Sequence, residues 1–514
     1  MGIPSYYKRL VDRYPKLVQK GIRQLQSSVL LMDFNCLIYH CIRNDTLPVY
    51  TAATKDEWEK SLIEVIKKYT LNVWNISGKP SKVFIAVDGV VPMAKIRQQR
   101  LRRFKSRWLA AAELSAGVRK PGDEIWDTNA ITPGTEFMEK LGRGLRSLTE
   151  SRSGWSLSCA AEPGEGEQKL MSWVRENAAT LVGKDIIVYG LDADLIVLSL
   201  LSVARVVPNS SSWKLLRELA EFERGAVDAF GALDICELLN ILVPNTMTPA
   251  EYMLEYTCGM SFLGNDFLPH SLSVKMREGG HDLLCRRLTE IHTAGKRLLD
   301  ANQHIQLDSV TELVKGWAEN EELWIAENFE HKYKTRPMAL RNERERLMSS
   351  VEMLPLEWKS EEAIWKAGKG LFNGWREIYR EKWLYGASAR QTVTEYICGL
   401  QWIIDYYLGR PVSYSWYFPW NVPPLWGDIE AELRRGLKAF VPPITAPVAP
   451  QEQLAMVLPM ESWWLVRDMR LRALPGKLPA YWPARFRFFS VGRRWLWECE
   501  SEIPVLTTER MRHP

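Results

Sequence analysis

The chain has 514 residues, 46% of them apolar and 25% charged, with a formal net charge of +5. That length exceeds one simple core and predicts two or three packed units of an ordinary globular protein. The mild basic excess permits an anionic partner without demanding one, and no apolar run is long enough to span a membrane.

The polar start, "MGIPSYYKRL", lacks the apolar stretch of a secretory signal. Three apolar or β-branched runs follow, each ending in acid. "SVLLMD" ends at Asp33, "KVFIAVD" at Asp88, and "DIIVYGLDAD" at Asp192 and Asp194. Helix-forming stretches separate them, and strands alternating with helices predict a parallel α/β sheet. Ligands of such sheets bind beyond the carboxyl ends of the strands, so all four Asp are expected on one rim.

Directly after Asp88 comes a burst of cations, Lys95, Arg97, Arg100, Arg102, Arg103, Lys105 and Arg107. On a helix, Lys95, Gln99, Arg102 and Arg103 share one face. That face reads either as solvated charge or as a phosphate pocket, with Arg as a fork of donors and Lys as a point charge. Arg97, Arg100, Lys105 and Arg107 point elsewhere and read as solvated cations or contacts to backbone phosphates. Residues 114–130, with Gly, Pro and Asp, are expected to form a loop closing off this helix.

Further acids stand at Glu165 and Glu167 in "EPGEGEQKLMSW", where Pro and Gly give way to a helix, and at Asp266 in the turn "FLGNDFLPH". Singly, each reads as helix-start or turn chemistry. Together, seven carboxylates at one sheet edge would repel and raise each other's pKa values. Divalent cations relieve that repulsion, and all-oxygen ligation selects Mg²⁺ or Mn²⁺ over zinc. Two such ions about 3.5–4 Å apart serve phosphodiester hydrolysis. No P-loop, H-E-x-x-H, G-x-S-x-G or dinucleotide fingerprint competes.

Residues 281–390 read as mostly helical, and the Pro-rich 411–450 as an ordered, irregular connection. The 22 Trp, 15 of them beyond residue 300, read first as core packing and second as platforms for bases. Eight scattered Cys with no C-x-x-C or Cys/His finger spacing predict reduced thiols in an intracellular protein without structural zinc.

These stretches bring a family into view. "MGIPSYYKRLVDRYP", "DGVVPMAKIRQQRLRRF", "ITPGTEFM", "PGEGEQK", "YGLDADLIVL" and "FLGNDFLPH" resemble motifs of the Xrn family of 5′→3′ exoribonucleases, in the family's order. "YICGLQWIIDYYLGRPVSYSWYFPW", "PQEQLAMVLPMESWW" and "YWPARFRFF" resemble its second conserved region. The resemblance implies a PIN-like (Rossmann-like) nuclease core over residues 1–280, a helical connection over 281–390, and a second region over 391–514 bracing the active site. It implies that Asp33, Asp88, Glu165, Glu167, Asp192, Asp194 and Asp266 hold two Mg²⁺ ions. Lys95, Gln99, Arg102 and Arg103 match the pocket for a 5′-monophosphate, which excludes capped and triphosphorylated ends. Trp416 matches the aromatic that stacks on the first base. Tyr39, followed by His40, stands where the family usually places a stacking His, and Asn421 and Val422 where it usually has His-Tyr.

The implied activity is stepwise hydrolysis of 5′-monophosphorylated single-stranded RNA to nucleoside 5′-monophosphates, in the cytoplasm and without a membrane. The alternatives are a flap-type or 5′→3′ DNA exonuclease with the same carboxylate layout, and an inactive RNA-binding relic.

Overall fold

The computed structural model describes residues 3, 5–117, 122, 124–219, 230–336 and 343–514. Among them, a seven-stranded sheet forms the centre. Its strands are β1 (Val18–Ile22), β2 (Val29–Asp33), β3 (Lys82–Ala86), β4 (Trp155–Ser158), β5 (Asp185–Tyr189), β6 (Ser212–Glu218) and β7 (Phe230–Asp234). The order is β1-β7-β6-β5-β2-β3-β4. The pairings from β4 through β3, β2 and β5 to β6 are all parallel, and β7 is antiparallel to both β6 and β1. The fold is therefore α/β, as the alternating pattern predicts. The chain runs from β2 outward to β4, then crosses back to place β5 on the other side of β2. That reversal opens a crevice at the carboxyl ends of β2 and β5.

Apolar side chains alternate between the sheet's two faces. Leu31, Phe84, Val188 and Leu215 belong to one core, which continues through the helices Gly166–Leu181, Asp194–Arg205, Pro249–Ser261, Leu307–Lys334 and Ala389–Tyr407. Leu30, Ile85, Ile187 and Leu216 belong to the other, shared with Lys55–Ile76, Met93–Ser115 and Glu136–Glu150. Residues 391–514 divide between the two. Tyr396 to Leu437, with Phe489 and Val491, join the first core, while Leu454 to Trp482 and Ile503 to Met511 pack on the second. Trp213, Trp317, Trp402 and Trp426 are fully buried, so these tryptophans are core residues.

The described residues of 281–390 are mostly helical, with two short strands, Trp365–Lys366 and Gly370–Leu371. The Pro-rich stretch is less irregular than expected. It contains a helix, Trp426–Arg434, whose first turns bury Trp426 and Ile429 against Leu307–Lys334. Buried Glu321 accepts the N–H groups of Trp426 and Gly427 at 2.8 and 3.3 Å and so caps that helix from outside it. Of the expected loop 114–130, Ser115 still ends a helix and Thr128–Ala130 form a 3₁₀ turn, while 118–121 and 123 lie outside the described residues. No helix among the described residues is long and apolar enough to cross a membrane.

The basic helix, Met93–Ser115, corrects the reading of its spare cations. Arg100 is 0% exposed. Its guanidinium donates to the carbonyls of Pro504 at 2.9 Å, Met456 at 2.8 Å and Tyr481. Lys105 Nζ donates to the carbonyls of Leu496, Trp497 and Cys499. Arg97 donates to Trp420 O and to Asn421 Oδ1, the latter at 2.5 Å. Arg107 pairs with Glu461 at 3.0 Å. Arg97, Arg100 and Lys105 are drawn into the protein, whereas Arg107 remains an exposed cation at the surface. The first three saturate carbonyls and polar groups of the C-terminal third, which helps explain why a charged helix can lie between packed layers.

Replacing Arg100 with Met should therefore lower the unfolding free energy by about 3 kcal/mol, because one buried and two partly buried carbonyls lose a charged donor. A denaturant midpoint unchanged from wild type would refute the bracing role.

Candidate active site

The crevice gathers the acids from separate elements. Asp33 ends β2 in register with Ala86 of β3, and Asp88 follows two residues beyond Ala86. Asn35 fixes Asp88 from both directions: its Nδ2 donates to Asp88 Oδ2 at 2.9 Å, and its Oδ1 accepts from Asp88 N at 3.1 Å. The helix Gly166–Leu181 aims its first N–H at Asp88 Oδ1, at 2.6 Å. A side chain at Gly166 would run into Asp33 Oδ1 and the carbonyl of Ala86, so glycine alone permits this approach. Glu165 and Glu167 flank that glycine, and Asp194 opens the helix Asp194–Arg205. Two helix N-termini thus face the acid row, where their partial positive charge favours anions.

Lys95 sits inside this row. Its Nζ lies 2.5 Å from Glu165 Oε2 and 2.8 Å from Asp266 Oδ2. Burial works against its charge, but Asp266, Glu165, Glu167 and Asp194 outweigh burial and hold it well above the ordinary lysine range. The acids show the converse. Burial pushes Asp33 well above the carboxylate range, and the charges of Asp88 and Asp192 add to the shift. Burial, then Asp194 and Glu165, do the same to Glu167. Burial raises Asp88 and Glu165 as well. Burial and neighbouring Asp266 push Asp194 up to about 7. Asp266 goes the other way: burial would raise it, but Lys95 holds it below the usual range. All seven acids are therefore within electrostatic reach of at least one other member.

The donor set is entirely oxygen, and two of its buried oxygens, Glu167 Oε1 and Asp194 Oδ1, have no hydrogen-bond partner. In donor type this fits a hard divalent cation. Among the described residues, no group of three or more His, Cys, Asp or Glu side chains is arranged as a ready-made metal site. The Lys95 ammonium stands between Glu165 and Asp266 and supplies the counter-charge there.

The expected phosphate face is partly redistributed. Lys95 belongs to the acid row, and Gln99 Oε1 accepts from Gln453 Nε2 at 3.3 Å. Arg102 is exposed beside Asp266. Arg103 donates to Asn129 Oδ1 at 3.2 Å and feels both Tyr39 and Arg102. Tyr39 is 44% exposed, whereas the His40 ring lies 4.5 Å from Tyr69. Trp416 differs most from expectation. It is 7% exposed, its ring centroid 5.3 Å from Trp402, and its edge fills the space that Gly399 leaves open. In this structure Trp416 has little ring surface to offer a base.

Several contributors lie within the quoted motifs without having been singled out as site residues. Tyr406 Oη donates to Glu165 Oε1 at 2.8 Å, and Gln98 Nε2 to Asp266 Oδ1 at 3.2 Å. The Tyr407 hydroxyl, buried without a partner, is influenced by Asp194 and Glu167. Spacing could have found Gln98, which is a helical neighbour of Arg102. Tyr406 and Tyr407 reach the site only through the packing of Ala389–Tyr407.

A doubly wound sheet with carboxylates massed at its switch point defines an α/β protein of the nuclease-like class. The chain matches the family descriptions "XRN 5'-3' exonuclease N-terminus" over residues 1–218 and "Xrn1 helical domain" over residues 257–367 and 371–512. It belongs to the Xrn 5′-3′ exonuclease family. Similar proteins include "5'-3' exoribonuclease 2" of Arabidopsis thaliana, 25% identical over 99% of this chain and 66% of the relative. "5'-3' exoribonuclease 2" of Eremothecium gossypii is 30% identical over 55% of this chain and 37% of its own length. Human "5'-3' exoribonuclease 1" is 26% identical over 99% of this chain and 34% of its own length. The chain thus spans less than two thirds of each of these three relatives.

Asp194 gives the acid row a stability signature. Its folded pKa of about 7 lies above the unfolded value of about 3.9, so its contribution is full below about pH 4 and lost as pH rises through 7. Asp194→Asn removes that loss. In metal-free buffer at pH 8 the variant should melt above wild type, with the gap closing by pH 4. A variant that melts below wild type at pH 8 would contradict the like-charge account.

Proposed function

We propose that this chain is a 5′→3′ exoribonuclease that hydrolyses 5′-monophosphorylated single-stranded RNA to nucleoside 5′-monophosphates. The observation that carries the proposal is the row of seven acids at the switch point, next to the Arg102–Arg103 pair on one helix. The names of the relatives support the direction of cleavage and RNA as the polymer.

Asp33, Asp88, Glu165, Glu167, Asp192, Asp194 and Asp266 would hold two Mg²⁺ ions, with Mn²⁺ as the alternative. Such ions neutralise charge on a phosphodiester and lower the pKa of bound water. The chain's own groups do the positioning. Arg102 and Arg103 offer forked donors to a terminal phosphate, and Gln99 an amide beside them. Lys95, held charged by Asp266 and Glu165, presents an ammonium where phosphate charge must be offset. The first base would stack between Tyr39 and Trp416, of which only Tyr39 offers an exposed ring in this structure. Recognition through stacking and backbone phosphates predicts little sequence preference. The eight free cysteines support an intracellular, cytoplasmic setting.

The deciding assay compares matched RNAs with 5′-monophosphate, 5′-hydroxyl, 5′-triphosphate and capped ends, together with a 5′-phosphorylated DNA, in Mg²⁺ and in chelator. Only the monophosphorylated RNA should be degraded rapidly, from its 5′ end, and Asp192→Ala with Asp194→Ala should abolish the reaction. Preferred cleavage of the DNA would move the chain to a DNA exonuclease. Decay unaffected by the double substitution would remove the acid row from the chemistry.

Arg102→Ala should slow decay of 5′-monophosphorylated RNA by roughly tenfold or more while changing binding of 5′-hydroxyl RNA little. Equal losses in both would make Arg102 a general electrostatic contact.

A further inference from the structure

The helix Asn35–Cys41 has only seven residues, yet it carries two groups that the proposed reaction uses. Two turns of helix do not sustain themselves, so packing decides how this one lies. Asn35 and Tyr39 stand at i and i+4 and share a face. Asn35 fixes Asp88 from that face, and Tyr39 is exposed on it. Cys36 and His40, again at i and i+4, share the adjoining face. Each of them meets a phenol. The His40 ring lies 4.5 Å from the Tyr69 ring at an angle of 32°, and the Cys36 thiol is within reach of the Tyr189 hydroxyl.

Both phenols end on one carboxyl group. Glu218 Oε1 accepts from Tyr189 Oη at 2.5 Å and from Tyr69 Oη at 2.8 Å. Glu218 ends β6, two residues past Leu216, which is the parallel-strand partner of Tyr189. It therefore stands at the same rim as the acid row but belongs to the other face of the sheet, where Tyr69, Tyr189 and Phe230 are packed. Tyr69 also stacks on Phe230, with centroids 6.4 Å apart. Among the described residues, Glu218 Oε2 is buried without a hydrogen-bond partner. Such an unmet oxygen is costly in a residue that serves packing alone.

We propose that Glu218 is a positioning residue: by clamping Tyr69 and Tyr189 against His40 and Cys36, it fixes the rotation of Asn35–Cys41 and so the presentation of Tyr39 to the first base beside Asp88. The inference rests on the proposed binding of an RNA 5′ end. Glu218 itself touches neither the base nor the reacting phosphate, and it acts only through the two phenols.

Equilibrium binding of a 5′-monophosphorylated RNA with 2-aminopurine as its first base, to the full chain in metal-free buffer, reads stacking as quenching of that base. Wild type should quench it. Glu218→Ala should weaken binding of this RNA by about tenfold, while binding of an RNA with an abasic first nucleotide should change by less than about twofold. Tyr39→Ala should show the same pattern. Glu218→Ala combined with Tyr39→Ala should lose no more than Tyr39→Ala alone, because both act through one contact. Glu218→Gln, which keeps an acceptor in place, should recover most of the quenching. If Glu218→Ala does not fold, as judged by circular dichroism, Tyr69→Phe carries the comparison, since it deletes one clamp and keeps the ring. No quenching by wild type, full quenching by Glu218→Ala, equal losses on the abasic RNA, or additive losses in the double variant would overturn the proposal. The readout needs no cleavage, so a chain that shows this pattern but degrades no RNA would refute the exoribonuclease reading and leave the clamp standing.

Discussion

Seven carboxylates crowd into one buried crevice, and their mutual repulsion is the constraint around which the molecule is arranged. In a low-dielectric setting such a row favours protonation or a counter-ion. The structure supplies what relief it can from within. Lys95 lies between Glu165 and Asp266, helix N-termini face Asp88 and Asp194, and Asn35, Gln98 and Tyr406 hold individual acids by hydrogen bonds. Two oxygens remain unsatisfied. A fold optimised for stability alone would not keep them; they are the sort of local cost tolerated where chemistry needs charge.

The sheet positions this row through topology more than through any one contact. β2 and β5 are adjacent because the chain reverses direction between them, so acids more than 150 positions apart in sequence end at the same rim. Gly166 is the local counterpart of that arrangement. It lets a helix start against two carboxylates where a methyl group would force them apart.

Much of this was legible in the residues. β2, β3 and β5 are buried on both faces, so their sequences are nearly pure apolar runs, and an Asp at the end of such a run stands out. The other strands carry no such mark. β1 reads "VQKGI" and is largely exposed, β4 is a four-residue edge, β6 mixes Lys, Arg and Glu into its length, and β7 contains a glycine. The helix Trp426–Arg434 was hidden by the prolines just before it, although Pro commonly precedes a helix. The basic helix stands where the sequence puts it, and Arg107 is exposed as read, but Arg97, Arg100 and Lys105 meet protein carbonyls instead of water. A sequence does not say whether a guanidinium meets water or a carbonyl hundreds of residues away. Trp416 is a similar case, since its burial depends on the space left by Gly399.

The grip of Arg100 on the C-terminal third also has a consequence in time. Its acceptors lie 356, 381 and 404 positions further along the chain. A nascent polypeptide that has already made the central sheet must hold that guanidinium without its carbonyl partners until the strand Glu500–Glu502 and its neighbours have emerged. Contacts of such sequence separation form late, because closing the loop precedes any reward. The last contacts of the second core therefore wait for the C-terminal third, although Lys55–Ile76 and Glu136–Glu150 already cover that face of the sheet.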